Sequence, residues 1–286
     1  IPGGGMDGAA RARIIDRFRP TVLGCTPSYA LHLAHVMQQL GIDPAASSVR
    51  TLFVGGEPSI AVPATCQRLE KTWNARVVEF YGCTEASPHV GGFSCPHAQS
   101  GPVAFSHLLE DIQIWEVVTP GSLTALPDGE RGLTVCTSLN SESSPQLRFL
   151  VGDFTTLNRD GCACGRHHVR AMGSFCGRID DVINLRGVKF FPTQIEQAVR
   201  AVPGSGDEYM ILLETDASGM DTLTVQIEHA DHADASAMAT ALQKDLRTRI
   251  EVRVDVQVLA PGTLPKTEFK ARRVRDTRAA GATGGR

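Results

Sequence analysis

No run of apolar residues in this chain approaches the roughly 18–20 needed to span a bilayer, and no secretory leader is expected ahead of the first folded segment. No membrane partner is expected, and the cytosol is the expected compartment. Charge of one sign is also lacking: 28 Lys and Arg against 31 Asp and Glu give a net charge of −3, with the basic residues spread along the chain until its last stretch. That balance argues against nucleic-acid binding. In a reducing cytosol the eight cysteines are expected as free thiols or metal ligands, not disulfides. Cys25, Cys66, Cys136 and Cys176 read as small buried residues.

What is present is a length of 286 residues with 42% hydrophobic content, enough for two domains with buried cores. The opening IPGGGMDGAA reads as the interior of a longer chain. Residues 8–19 carry apolar positions at helical spacing and stop before Pro20; TVLGC at 21–25 follows as a short apolar run, then a helix from Pro27 to Gly41. The alternation repeats in VRTLFVGG at 49–56, a helix over about 60–73, and ARVVEFYG at 75–82. Strands and helices alternating at this length imply a parallel, doubly wound α/β sheet.

Beyond Gly82 shorter strands at 111–118, 131–139 and 146–153, separated by Pro- and Gly-bearing turns, suggest a small, mostly antiparallel β subdomain. From Gly187 onward the helix PTQIEQAVRAVP, the strands EYMILLE and LTVQIEHA, the helix ASAMATALQKDLRTRI and the strand VRVDVQVLA read as an α+β domain. The expected divisions are 1–179, 180–276 and a disordered tail at 277–286.

Several segments carry chemistry. In YGCTE at 81–85, Tyr81 offers a stacking face, Gly82 a turn, Thr84 a hydroxyl for an anionic oxygen, and Glu85 a carboxylate for Mg2+. A polar loop with one core-packing tyrosine reads equally well. GGEP at 55–58 (Gly55, Gly56, Glu57, Pro58) ends the neighbouring strand with two glycines that let backbone approach a ligand, or simply makes a strand-end turn. Asp153, closing the apolar FLVG run, suits either two ribose hydroxyls or a turn cap. GCACGRHH at 161–168 sets Cys162 and Cys164 one residue apart in a polar loop, which favours metal binding over core packing. KTEFKARRVR reads by itself as a basic, mobile, solvated run.

Taken together, TPSYA at 26–30, GGEP, YGCTE, FLVGD at 149–153, GRIDDVINLRGVKFFPTQIE at 177–196 and KARRV at 270–274 resemble the phenylacetate–CoA ligase family of adenylate-forming enzymes, in the family's order. The resemblance implies the C-terminal part of a large adenylate-forming domain followed by a small mobile domain. It implies that Tyr81 stacks on adenine, Thr84 touches phosphate or carboxylate, and Glu85 holds Mg2+. Asp153 would bind the ribose with Arg178 reinforcing it, Asp180 (or Asp181) would be the hinge, and Lys270 would bridge carboxylate and α-phosphate oxygens. Joining two anions calls for such a cation. Gly187 would line the CoA thiol tunnel or be a plain turn glycine, and Tyr29, Ala30 and Gly56 would border the acyl pocket.

The implied reaction is AMP-forming activation of an aryl or arylacetic acid with ATP and transfer to CoA or to a carrier-protein thiol, with a homodimer as a further expectation. A non-catalytic, zinc-stabilised nucleotide- or CoA-binding module is the alternative. Similar ligands in family members extend the thiol pair to a Cys95, His107, Cys162, Cys164 structural zinc site, with His97, His167 and His168 as substitutes and metal-free thiols as the other reading. The family's Ser/Thr/Gly-rich phosphate loop has no counterpart here, since IPGGG lacks hydroxyls and a lysine. The chain alone is therefore expected to be inactive.

Overall fold

The computed structural model describes residues 5–85, 90–175, 177–230, 233–266 and 272–278. The chain divides into two compact units, Ile1–Asp180 and Asp181–Arg286. No helix among the described residues is long and apolar enough to cross a membrane.

In the first unit the elements run α1 (Gly8–Phe18), β1 (Val22–Cys25), α2 (Pro27–Gln39), β2 (Thr51–Val54), α3 (Pro63–Trp73) and β3 (Arg76–Tyr81). There follow β4 (Gly92–Phe93), β5 (Phe105–Leu108), β6 (Gln113–Val118), β7 (Arg131–Ser138), β8 (Phe149–Asn158) and β9 (Arg170–Met172). The helix starts obey local chemistry: Asp7 accepts from the Ala10 amide, and Thr26 caps α2 ahead of Pro27. Arg19 and Asn74 close α1 and α3 in left-handed conformations, which lets the chain turn sharply into the next strand. Leu33, Met37, Leu52, Leu69 and Trp73 fill the core between helices and sheet, and the Trp73 indole donates to the Ala30 carbonyl at 3.1 Å.

Among the described residues β1, β2 and β3 pair in parallel, as the strand–helix alternation requires. The strands of the expected antiparallel β subdomain do pair antiparallel, and they continue the same nine-stranded sheet, in the order β1-β2-β3-β4-β5-β9-β8-β7-β6. The join is the antiparallel pairing of Phe80 with Phe93 and Tyr81 with Gly92, which sequence spacing does not announce because β4 is only two residues long.

The second unit holds the hairpin β10 (Ile183–Leu185) and β11 (Val188–Phe190), then α4 (Pro192–Ala201), β12 (Ser205–Thr215), β13 (Asp221–His229), α5 (Ala235–Ile250), β14 (Asp255–Leu259) and β15 (Val274–Asp276). Its four-stranded sheet is ordered β14-β13-β12-β15, covered by apolar stripes such as Met238, Leu242, Leu246 and Ile250 of α5. The basic C-terminal run is not simply a solvated tail: β15 adds in parallel to β12. Arg273 pairs with Glu208 before it, and Arg278 pairs with Asp221 at 3.2 Å after it. Thr277 and Arg278, placed in the disordered tail by composition, are therefore held, with the Thr277 amide donating to the Leu213 carbonyl at 2.9 Å. Residues 279–286 lie outside the described residues.

Candidate functional site

Parallel register puts Cys25, Val54 and Glu79 side by side, so the loops after β1, β2 and β3 share one sheet edge. That edge is where open α/β sheets present ligand-binding loops. TPSYA, GGEP and YGCTE occupy it. Gly55 is glycine for packing: a Cβ there would lie 2.6 Å from the Phe80 ring. Gly56 takes φ +80°, the left-handed region that a turn glycine permits. Glu57 accepts from the Ser28 amide at 3.0 Å and from the Ser28 hydroxyl at 2.8 Å, so its carboxylate fastens the GGEP turn to the N-terminus of α2. Pro58 is half-buried beside it.

Asp153 is not at a strand end, as the FLVG run suggests, but inside β8 at a bulge. Leu133 of β7 faces Phe154 and Val135 faces Leu150, so three β8 residues, Val151, Gly152 and Asp153, oppose the single Thr134. Gly152 at φ +90° makes the bulge possible, and the Thr134 hydroxyl donates to the Asp153 carbonyl at 2.9 Å where the ladder is broken. The bulge re-aims the Asp153 side chain, which is 7% exposed. One carboxylate oxygen accepts the Tyr81 phenol at 2.7 Å and the other receives Arg178 at 3.4 Å.

Three residues that the motifs single out separately, 81, 153 and 178, thus meet. Arg178 also pairs with Asp180 at 3.0 Å, and its backbone bridges to Asp153. Burial, reinforced by the neighbouring Asp153 charge, holds the Tyr81 phenol well above its ordinary value, so it stays protonated and donates. Phe175 stacks on the Tyr81 ring at 3.3 Å between centroids and 10° between planes, covering one face, while Trp115 sits tilted at 6.1 Å. Phe175 had no signal in the motifs.

Glu79 was also missed. It lies on the buried face of β3 in place of an aliphatic residue, 4% exposed. One oxygen accepts from the Ser59 amide at 3.0 Å, the Ser59 hydroxyl at 2.8 Å and the Ile60 amide at 3.2 Å. The other accepts from the Ser106 hydroxyl at 3.3 Å and from the Ser174 hydroxyl. An interior carboxylate is tolerated when hydrogen bonds of this number replace water. The lone acidic residue within VVEFY was the available signal.

Gly82, Thr84 and Glu85 are exposed at the end of the β3 loop. Lys270 lies outside the described residues. Asp180 ends the first unit within a single 3₁₀ turn, Ile179–Asp181. Gly187, in the second unit, is accounted for by its turn: Arg186 at φ 52° and Gly187 at φ 86° form the two-residue loop of the β10–β11 hairpin, the pairing that favours glycine. Of the residues expected to border the acyl pocket, Ala30 is fully buried with its carbonyl accepting from the Trp73 indole, and Tyr29 packs in the same core beneath the Arg11 guanidinium. Cys25, expected to be buried, is only half-buried against the core of the first unit; Cys176 lies outside the described residues.

A second cluster forms where β5 meets the β8–β9 turn. The ligand atoms of Cys95, His107, Cys162 and Cys164 all lie within 4.8 Å of one another. Cys95 and Cys162 sulphurs are 3.8 Å apart, and Cys164 sulphur is 3.3 Å from His107 Nε2. A tetrahedral zinc with sulphur ligands at about 2.3 Å sets neighbouring sulphurs about 3.8 Å apart, so the donor set fits that ion. His107 is completely buried, and its Nδ1 lies 3.2 Å from the His168 carbonyl, to which it donates, turning the Nε2 lone pair toward the thiols.

Burial lowers the His107 value, which keeps the ring neutral as a ligand must be. Burial pushes the Cys95 thiol up to about 11. Cys164 is also pushed up by burial, but hydrogen bonds from the Arg166 amide and the Cys162 thiol bring it down to about 7. Of the substitutes considered, His168 is turned away, its Nε2 pairing with Asp111 at 2.8 Å.

Residues 2–135 match the family model for AMP-binding enzymes, and residues 187–278 match that for the AMP-binding enzyme C-terminal domain. A phenylacetate-coenzyme A ligase of Thermus thermophilus is 32% identical over 97% of this chain and 65% of its own length. That of Aromatoleum evansii is 33% identical over 97% of this chain and 62% of its own. This chain therefore spans about two thirds or less of those relatives. A solved 2-hydroxyisobutyryl-CoA ligase, in the postadenylation state with 2-HIB-AMP, is 31% identical with a TM-score of 0.87, over 96% of this chain and 58% of that one.

Proposed function

Because the chain belongs to the AMP-binding enzyme family, we propose that it carries the adenine-, ribose- and magnesium-binding part of an AMP-forming acid–CoA ligase. The observation that carries this reading is the meeting of Tyr81, at the carboxyl end of β3, with Asp153 and Arg178. Tyr81 presents its ring to adenine, Asp153 accepts the ribose hydroxyls, and Arg178 fixes the carboxylate that does so. Thr84 meets the α-phosphate or the substrate carboxylate, and Glu85 takes Mg2+, which spreads the charge of the phosphates. Lys270 supplies the ammonium that offsets repulsion when a carboxylate attacks the α-phosphorus. The acyl group then passes to the CoA thiol, with AMP leaving, as the second unit turns about Asp180 and Gly187 lines the thiol path.

The acid is an aryl or arylacetic one, as the names of the phenylacetate-coenzyme A ligases suggest. A short branched hydroxy acid is the second reading, favoured by the 2-hydroxyisobutyryl-CoA ligase. Cys95, His107, Cys162 and Cys164 hold a structural zinc, four protein ligands leaving no open position for chemistry. The protein acts in the cytosol.

The test has two arms. Calorimetry with this chain should detect AMP and the non-hydrolysable phenylacetyl sulfamoyl-adenosine; silence with both would overturn the reading. Carboxylate-dependent pyrophosphate–ATP exchange, with the chain alone and joined to the N-terminal part of a phenylacetate-coenzyme A ligase, then ranks the acids. In the joined protein Lys270→Ala should lower exchange far more than thioester formation from preformed acyl-adenylate, and equal loss would remove the role given to Lys270.

A further inference from the structure

We propose that Glu79 and Ser174 are positioning residues for the nucleotide site, a latch that seats Phe175 beneath Tyr81. This rests on the nucleotide-binding reading above and names the groups that prepare the site for the base.

The argument starts from the segment after β9. Gly173 turns the chain, its amide donating to the Ala104 carbonyl at 2.7 Å. The following residue, Ser174, takes φ +49°, a left-handed conformation that a non-glycine side chain adopts at a cost. Such a conformation persists only where the surroundings over-determine it, and here they do. The Ser174 hydroxyl donates to Glu79, and its carbonyl accepts the Thr155 hydroxyl at 3.0 Å; the residue is 2% exposed.

What the strained residue delivers is functional. Phe175, next in the chain, stacks on Tyr81, and a few residues on Arg178 reaches Asp153. Glu79 is itself only two residues before Tyr81 on β3, and its other oxygen holds the loop after GGEP through Ser59 and Ile60. One buried carboxylate therefore ties together the strand that bears the stacking tyrosine, the neighbouring loop, and the segment that backs the ring. With Phe175 against one face, Tyr81 is held in the plane in which its opposite face meets a purine, and Asp153 receives the phenol in a defined direction. Without the latch the left-handed turn has less to sustain it, and the ring loses its backing before the ligand arrives.

The two serines on the same carboxylate oxygen provide the test. Ser106 sits in β5 and donates to Glu79 at 3.3 Å, but it does not lead into Phe175. Ser174→Gly removes the hydroxyl while accepting the left-handed backbone without strain, so it should fold; Ser174→Ala and Ser106→Ala complete the set. For AMP binding by calorimetry, Ser174→Gly and Ser174→Ala should each weaken affinity about tenfold, as expected when the competent conformer is depopulated. Ser106→Ala should stay within about twofold while changing the melting temperature at least as much as Ser174→Gly. Equal affinity losses at the two serines, or wild-type affinity in Ser174→Gly, would overturn the latch while leaving nucleotide binding intact. A wild-type chain that binds no AMP would instead remove the reading beneath it, and the latch with it.

Discussion

The thiol–imidazole cluster and the tyrosine–aspartate cluster are served by neighbouring strands of one sheet, yet they are finished differently. At the first, four donor atoms converge within 4.8 Å, and the imidazole is oriented by a backbone carbonyl. Two thiols, a third from just beyond β4 and a neutral imidazole are together the donor set of a soft divalent cation. At the second, the polar groups answer one another: Tyr81 donates to Asp153, Arg178 reaches both Asp153 and Asp180, and Phe175 covers one face of the tyrosine. A ligand entering there exchanges partners instead of filling a need. On the proposed reading, the first holds one ion permanently and the second binds and releases its ligand. Substitutions at the first should cost stability, and at the second affinity.

The largest expected effect breaks the first cluster. Cys162→Ser combined with Cys164→Ser removes two of four ligands and should release zinc, detected by metal analysis of the purified protein. Binding free energy at a structural site is folding free energy, so a melting temperature lower by about 10 °C is expected, at roughly 2–4 °C per kcal/mol for a unit of this size. Wild-type protein without zinc would end the metal assignment. Acidification should act in the same direction, because protons compete with the metal for the thiolates.

Next in size is Asp153→Ala, which removes the acceptor shared by Tyr81 and Arg178. AMP affinity should fall about a hundredfold, the loss of a charged hydrogen-bonding group worth roughly 3 kcal/mol, with zinc content unchanged. An unchanged dissociation constant would separate Asp153 from the ribose.

How much of this contrast could be read from residues alone differs between the two sites. The Cys162–Cys164 pair in a polar loop was a direct signal, and in the structure Cys95 and His107 join it because Phe93 pairs with His107 across β4 and β5, which brings Cys95, two residues beyond β4, near the imidazole. Helix limits were legible where a cap states them, as at Asp7, Thr26 and Asp234. The α/β alternation up to Tyr81 was legible in the same way. Asp153 was recognised as chemically useful but misplaced, since a bulge depends on the register of β7 against β8 and no single segment encodes that. Glu79 was lost in an apolar run, because which face of β3 is buried is settled by the elements packed on it. Phe175 follows a three-residue strand too short to show a period. Chemistry written in one segment could be read from its residues; chemistry made by pairing segments came through the family resemblance, as for Cys95 with Cys162, or was not read at all, as for Glu79 with Ser174.

Glu85→Gln sharpens the comparison from the exposed end of the nucleotide loop, where no scaffold is at stake. Replacing an anionic oxygen ligand by an amide should raise the Mg2+ concentration needed for half-maximal pyrophosphate exchange about tenfold, with no change in melting temperature. An unchanged magnesium titration would move the metal away from Glu85.

The smallest effect expected is that of Tyr81→Phe, and it tests whether the second cluster is held by its ring or by its hydroxyl. Phenylalanine keeps the stack on Phe175 but withdraws the proton that Asp153 accepts, a change worth about 1 kcal/mol. AMP affinity should change by less than about fivefold if stacking dominates; a loss as large as that of Asp153→Ala would make the phenol–carboxylate bond the essential element. The pH dependence gives an independent reading. The folded state holds the Tyr81 proton well above the ordinary value of 10. The stability this contributes is therefore complete below pH 10 and is lost as pH rises through the folded-state value, because unfolding then releases a proton. Tyr81→Phe should flatten that alkaline decline relative to wild type in melts taken between about pH 9 and 11. Identical slopes would mean that the tyrosine is not sealed against Asp153 and Phe175, and that the second cluster is open even before a ligand arrives.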